Sequence, residues 1–335
     1  MLTRGKSVPR WIAVLPSFLL IVASAFSQSD PLASWNEGAA KQAILQFVRT
    51  TTDSSSPQFV PLEQRIAVFD QDGTTWVEQP VYTQLAFALD QVKPLTAKDP
   101  SLAGVEPFKT VLSGDRAAIA KLTLPDLEKM VFATHSGMTV EQFDATVKAW
   151  IATAKHPRFH RPYTDLVYEP MLEVMRFLRT NGYKTYIVTG GGQDFVRAYS
   201  DKVYGIPVGQ VVGSSIGTQF GYAPDGRAIL TKQPKLMLMN DKTGKPEGIH
   251  LVIGQRPIVA LGNSTGDQRT LEYTQGGEGP SLMLLVRHDD AVREYAYGPE
   301  SKIGTFSDAL MAEATKRSWI VVSMKNDWNR IFAIE

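Results

Sequence analysis

The sequence predicts an α/β fold, a parallel sheet with helices on both faces, interrupted by an all-helical insertion. Three observations carry this reading. Short apolar, β-branched runs recur at residues 65–69, 184–188, 257–261 and 282–286, as in strands buried on both faces. After Pro170 such runs alternate with helical periodicity, which calls for parallel strands joined by crossover helices. Between Pro80 and about Thr164, apolar residues recur at three-and-four spacing with no strand run among them.

Taken in order, residues 1–27 combine Arg4, Lys6 and Arg10 with an apolar run over 11–25 and the small-residue stretch Ala23-Ser24-Ala25. That layout is a secretory signal peptide with an A-x-A cleavage site. The run falls short of the roughly 20 residues that a spanning helix needs, and Pro16 interrupts it. The alternative is an uncleaved N-terminal anchor. The mature chain is expected to be periplasmic or secreted, with no stable membrane insertion after signal removal. Residues 28–79 and 165–335 are read as the α/β core domain and 80–164 as a helical cap domain.

Residues 39–49 form the first helical stretch, ahead of a Thr/Ser-rich linker at 50–57 and the first strand run. The cap is expected to hold helices over 82–92, 105–122, 125–134 and 140–154, the last two opened by Thr123 and Thr139 as caps. A helix over 171–180 stops at Asn181-Gly182 and leads into the strand 184–188, followed by a helix over 193–203. Residues 208–230 read as paired strands around the turn Ala223-Pro224-Asp225-Gly226. A last strand is expected at 319–322.

The 335 residues include 43% hydrophobic ones, enough for a real core. Basic residues number 35 against 34 acidic, a formal charge of +1, and without the three basic residues of the leader 32 face 34, a net of −2. Such balance gives no chain-wide attraction to nucleic acid or acidic lipid, and no nucleic-acid partner is expected. The absence of cysteine excludes disulfides, thiolate metal sites and cysteine nucleophiles. Composition leaves the oligomeric state open.

Three strand runs each end in a polar cluster. Asp70-Gln71-Asp72-Gly73-Thr74 follows the first, Thr189-Gly190-Gly191-Gly192 the second, and Gly262-Asn263-Ser264-Thr265-Gly266-Asp267 the third. Each alone is ordinary turn chemistry. In one parallel sheet all three lie at the carboxyl end, where such sheets bind ligands.

The Asp-x-Asp-Gly-Thr start, the strand-terminal Thr189, a downstream lysine and the final Asn/Asp loop resemble the haloacid dehalogenase-like (HAD) hydrolase superfamily, specifically its phosphatases, over roughly residues 66–286. The branch most resembled is phosphoserine-phosphatase-like, with a Rossmann-like core and a C1-type helical cap inserted between the first and second motifs. The resemblance implies a magnesium-dependent phosphatase acting on a small-molecule phosphate monoester through an aspartyl-phosphate, and the leader at 1–27 adds the expectation that it is exported. The alternatives are a phosphotransferase or phosphomutase using the same intermediate, and a non-catalytic binding protein. Dehalogenation needs neither a second aspartate nor magnesium.

The residue types fit that chemistry. A carboxylate attacking a phosphate monoester is repelled unless a cation lies between them. Asp70 is the candidate nucleophile, and Asp72 the acid that protonates the leaving oxygen and then takes a proton from water. Gly73 lets the chain leave the strand sharply. Mg2+ suits oxygen ligands, and its expected protein ligands are Asp70, the main-chain carbonyl of Asp72, Asp267 and Asn263. Asn263 stands where the family more often carries an acid. Asp267 is also placed to cap the helix that begins at Gln268. Thr189, Gly190 and Gly191 are expected to bind phosphoryl oxygens. Lys242 and Lys245 compete to neutralise the remaining charge; Lys245 is favoured, 22 positions before Asp267 and at the start of a helical segment. Glu78 is placed as a substrate-binding carboxylate leading into the cap, one residue early for phosphoserine recognition. The run 156–161 is read as a solvated hinge or a contact for an anionic substrate tail, and His135 as a cation suiting a helix C-terminus.

Overall fold

The computed structural model describes residues 30–333 together with Met1, Leu2 and Gly5; the signal peptide expected over 1–27 lies, but for those three, outside the described residues. Among the described residues no helix is long and apolar enough to cross a membrane. Seven strands of the described residues form one sheet: β1 (Ile66–Phe69), β2 (Lys184–Gly192), β3 (Val211–Tyr222), β4 (Ala228–Leu238), β5 (Val259–Gly262), β6 (Leu282–Arg287) and β7 (Ile320–Ser323). Their order is β4-β3-β2-β1-β5-β6-β7. All neighbours are parallel except β3 and β4, which form an antiparallel hairpin.

The strands read as continuous apolar runs because both sheet faces are covered. Ala67 and Phe69 point into one apolar core with Ile187, Val259 and Leu261, under the helices Ala39–Thr52 and Glu169–Thr180. Ile66 and Val68 point into a second core with Val188, Val212 and Ala260, under the helices Gly244–Ile253, Gln268–Gln275 and Asp308–Lys316. The insertion has a small core of its own around Ala88, Val92, Phe108 and Met130.

Several elements differ from expectation for local reasons. The helix expected over 105–122 is broken into Phe108–Ser113 and Arg116–Ile119. Gly114 ends the first in the left-handed region (φ 70°), and Asp115 caps the second, accepting from Ala117 and Ala118 N–H. The helix expected over 193–203 likewise splits into Gln193–Arg197 and Ser200–Tyr204. The hairpin runs on to Leu238, past the predicted end at 230. Helix Asp308–Lys316, unforeseen, is capped by Ser307. Thr123 and Thr139 do cap their helices, each in a reciprocal box with Asp126 and Gln142.

Register fixes the geometry of the site. Phe69 at the end of β1 pairs with Ile187 of β2 and Leu261 of β5. The residues just beyond, Asp70, Val188-Thr189 and Gly262-Asn263, therefore emerge side by side at the carboxyl edge. The central strand lies where connections depart to either side, the position at which open parallel sheets form a crevice.

Candidate active site

Asp70 leaves β1 with its N–H held by Leu261 O (2.9 Å). Its carboxylate is buried, and Oδ1 accepts from Lys245 Nζ at 2.5 Å. The same ammonium reaches Asp267 Oδ1 at 2.6 Å. Burial raises the Asp70 carboxyl and the charge of Asp267 adds to the shift, while Lys245 opposes both. Burial also works against the Lys245 ammonium, but the two flanking carboxylates outweigh it and hold its pKa above the usual lysine range. Lys242, the competing lysine, is exposed and sits at φ 51°.

Asp72 follows the turn out of β1. Trp76 Nε1–H donates to its Oδ1 at 2.7 Å, and Trp76 stacks on Tyr199 with ring centroids 5.0 Å apart. Its Oδ2 faces Gly191, on the loop that carries Thr189. Burial pushes the Asp72 carboxyl up to about 6, against the Trp76 hydrogen bond and the Lys245 charge. A carboxyl so placed carries a proton far nearer neutrality than a solvated one. Gly73 is at φ 75°, and a Cβ there would strike Asn263 and Glu78. The turn therefore requires glycine twice over, for backbone and for space.

Thr189 is buried at the end of the regular part of β2, its Oγ1 accepting from Gly191 N (2.9 Å), while Asn240 Nδ2 donates to its carbonyl (2.8 Å). Gly192 N–H donates to Gln84 Oε1 at 2.6 Å. Gly190 passes beside Asp241.

Asp267 uses both oxygens within the protein. Oδ2 accepts from the N–H groups of Asn263 and Ser264, each at 3.0 Å, and from Ser264 Oγ at 3.2 Å. Its side chain makes no cap hydrogen bond to the helix Gln268–Gln275, so that part of the sequence reading is corrected: the carboxylate folds back on its own loop and on Lys245. Asn263 turns its Oδ1 toward Thr74 Oγ1 (3.0 Å), a hydroxyl also 3.5 Å from Asp70 Oδ2. Its Nδ2 donates to Glu78 Oε1 at 2.7 Å, and Tyr297 OH donates to the same oxygen at 2.6 Å. Burial holds the Glu78 carboxyl well above the usual range, with those two hydrogen bonds opposing.

Asp70, Asp72, Glu78, Thr189, Gly190, Gly191 and Lys245 all line one cavity of about 730 Å3 between the sheet edge, the helical insertion and the hairpin. A second hollow of about 350 Å3, beside residues 255–258 and 277–281, contains none of them. No three His, Cys, Asp or Glu side chains gather as a metal cage among the described residues. The oxygens that the turn after β1 and the loop after β5 bring together are the Asp70 carboxylate and the Asn263 amide, joined through Thr74 Oγ1, a sparse hard donor set. That fits Mg2+, which keeps several waters and shares substrate oxygens.

Sequence reasoning missed the supports around this set. Trp76, Tyr297 and Gln84 belong to it, and so does His288, whose Nε2–H donates to Gly73 O at 2.7 Å and whose Nδ1 faces buried Glu294 at 3.0 Å. Only position after a strand, in Arg287-His288-Asp289-Asp290, hinted at His288. His135 is not the helix-end cation expected: it lines the cavity, and burial pushes it down to about 3, leaving it neutral. The run 156–161 stays outside the cavity lining; His156 Nε2–H donates to Gln79 O at 2.7 Å and Arg158 Nη2 donates to Ala291 O, which ties the two connectors of the insertion to the core.

A family model for haloacid dehalogenase-like hydrolases matches residues 67–272, more than half of the chain. No curated protein matches the sequence. Among solved structures, a conserved functionally unknown protein from Anaerococcus prevotii DSM 20548 is similar at TM-score 0.54 and 15% identity, over 85% of this chain and 91% of that one. A protein of unknown function from Bordetella pertussis Tohama I gives TM-score 0.49 and 16% identity over 77% and 98%. A phosphoserine phosphohydrolase-like protein from Francisella tularensis subsp. tularensis SCHU S4 gives 0.36 and 14% over 67% and 88%. With the family model spanning the strand-end loops that build the site, the chain belongs to the haloacid dehalogenase-like hydrolases.

Proposed function

We propose that the protein is an exported, magnesium-dependent phosphatase that hydrolyses small phosphate monoesters through an aspartyl-phosphate on Asp70. The observation that carries this is the buried Asp70–Lys245–Asp267 bridge opening into the same cavity as Asp72 and Thr189. Asp70, Asn263 and the Asp72 carbonyl would hold Mg2+, which supplies the positive charge that lets two anions approach. Lys245 adds a fixed ammonium beside the nucleophile. Thr189 offers its hydroxyl to a phosphoryl oxygen.

One Asp70 oxygen attacks phosphorus as the ester P–O bond breaks, and the leaving oxygen takes the proton of Asp72. Asp72, now a carboxylate, takes a proton from water, whose oxygen attacks phosphorus and releases phosphate, freeing Asp70. The Trp76 N–H holds Asp72 in place for both transfers while leaving Oδ2 toward the Thr189 loop. Export rests on the charge and apolar pattern of residues 1–27.

The test is release of phosphate from p-nitrophenyl phosphate with Mg2+. Asp70→Asn should abolish it, and EDTA should do the same to the unchanged chain. Full activity in Asp70→Asn would sink the nucleophile assignment.

A further inference from the structure

Beyond its phosphoryl end, the cavity is walled by two pieces of chain that face each other, the helical insertion and the β3–β4 hairpin. Gln84 marks the border. Its Oε1 is taken by Gly192 N–H, so its amide nitrogen donates to His135 Nε2 at 3.1 Å. The imidazole proton then lies on Nδ1 and goes to Thr134 Oγ1 at 2.9 Å, whose own proton goes to Met130 O at 2.8 Å. The imidazole is thus neutral and satisfied, and packs edge-on to Phe87 and tilted against Phe143 at 5.4 and 4.9 Å.

Two lysines line the cavity, and both have partners. Lys245 bridges Asp70 and Asp267; Lys232 is paired with Asp194 and lies over the Phe143 ring, 4.6 Å from its centroid. Asp241 stands at the phosphoryl end beside Gly190, and Glu128 is exposed. Tyr82, Gln193, Ser214 and Ser264 add uncharged polar groups, and the rest of the wall is mainly apolar: Leu127, Val131 and Phe132 from the helix Leu124–His135, opposite Ile216, Leu236 and Met239 from the hairpin side. Leu236 and Met239 remain 41% and 48% exposed, apolar surface held open toward the cavity. Exposed apolar surface facing a polar reaction centre is what an apolar ligand would cover.

We propose that the substrate's leaving group is an uncharged, mainly apolar alcohol. Among the described residues no unpaired cation lines the cavity to take a second phosphate or a carboxylate, so sugar bisphosphates and phospho-amino acids are disfavoured. This inference rests on the phosphatase reading above and narrows it.

The test uses esters whose leaving groups differ little in acidity: n-alkyl phosphates from ethyl to octyl and benzyl phosphate. Beside them stand glycerol 3-phosphate, phosphoethanolamine, phosphoserine and fructose 1,6-bisphosphate. Full burial of each added methylene predicts kcat/KM rising about fourfold per carbon until the cavity is filled. Benzyl phosphate should exceed glycerol 3-phosphate by at least about tenfold on the same scale. Leu236→Asp, at a half-open position that folding does not need buried, should flatten the alkyl series; a melting curve checks that the variant folds. A flat series in the unchanged protein, or preference for any charged ester, overturns the inference while leaving the phosphatase intact. Absence of turnover on every ester, p-nitrophenyl phosphate included, overturns the phosphatase reading instead.

Discussion

Asn263 stands at the point where the family more often carries an acid, and the buried carboxyl of Glu78 meets its amide at 2.7 Å. Accepting from Nδ2, Glu78 fixes the amide so that Oδ1 faces Thr74 and Asp70. Glycines at 73 and 304, both in the left-handed region, leave the room its carboxylate fills. Losing that acceptor frees the Asn263 amide to turn, so Glu78→Ala should weaken Mn2+ binding to the protein by about tenfold. Adding Asn263→Asp should recover most of that loss. Calorimetric titration of Mn2+ reads both, and an unchanged affinity in Glu78→Ala ends the idea. Asp72 makes a second claim. Its folded pKa of about 6 lies above the value of 3.8 usual for an aspartate, so the folded state holds the extra proton between those limits and stability falls as pH rises through them. In EDTA, Asp72→Asn should therefore melt progressively higher than the unchanged protein as pH goes from about 4 to about 6. A pH-independent difference would show that burial does not shift this carboxyl. The paired aspartates, Thr189 and Lys245 were legible in the sequence because each sits at a fixed offset from a strand end or a motif. Tyr297 and the Glu78–Asn263 contact were not, because 219 and 185 residues separate the partners and no local rule spans such a distance.

At the scale of elements, Lys245 opens the helix Gly244–Ile253 and joins the loop after β1 to the loop after β5. Removing a cation that two buried carboxylates share leaves them facing each other, at a cost of about 3–5 kcal/mol for breaking a buried ion pair. Lys245→Met should accordingly lower the denaturation midpoint as well as abolish activity, and the stability loss should shrink when Asp70→Asn is added. Equal losses with and without Asp70 would mean that the pair does not share the charge. The elements themselves were largely visible beforehand. Strand runs and capping threonines announce themselves locally, since burial on two faces selects β-branched residues and a helix start needs an acceptor. Breaks inside expected helices and the length of the hairpin were not, since they depend on Gly114 adopting positive φ and on what β4 packs against. Thr139 pairs with Thr231 in an isolated bridge between insertion and hairpin, a contact that no spacing in either segment foretells.

For the whole molecule, two apolar cores clamp the sheet and a third, smaller one stabilises the insertion above its carboxyl edge. The connectors of that insertion are tied down by His156 and Arg158, so the walls of the cavity come from segments far apart in the chain. The sequence by itself determined the class of fold and the place of the site: apolar runs both of whose faces must be buried force a parallel sheet, and polar clusters that follow such runs must then gather at one edge. Which of those polar atoms pair with one another, which merely hold the loops, and which side chains wall the cavity were decided by tertiary structure alone. Hydrophobic periodicity and turn chemistry act over a few residues. Hydrogen-bond direction, charge pairing and cavity shape depend on groups that become neighbours only once the chain has folded.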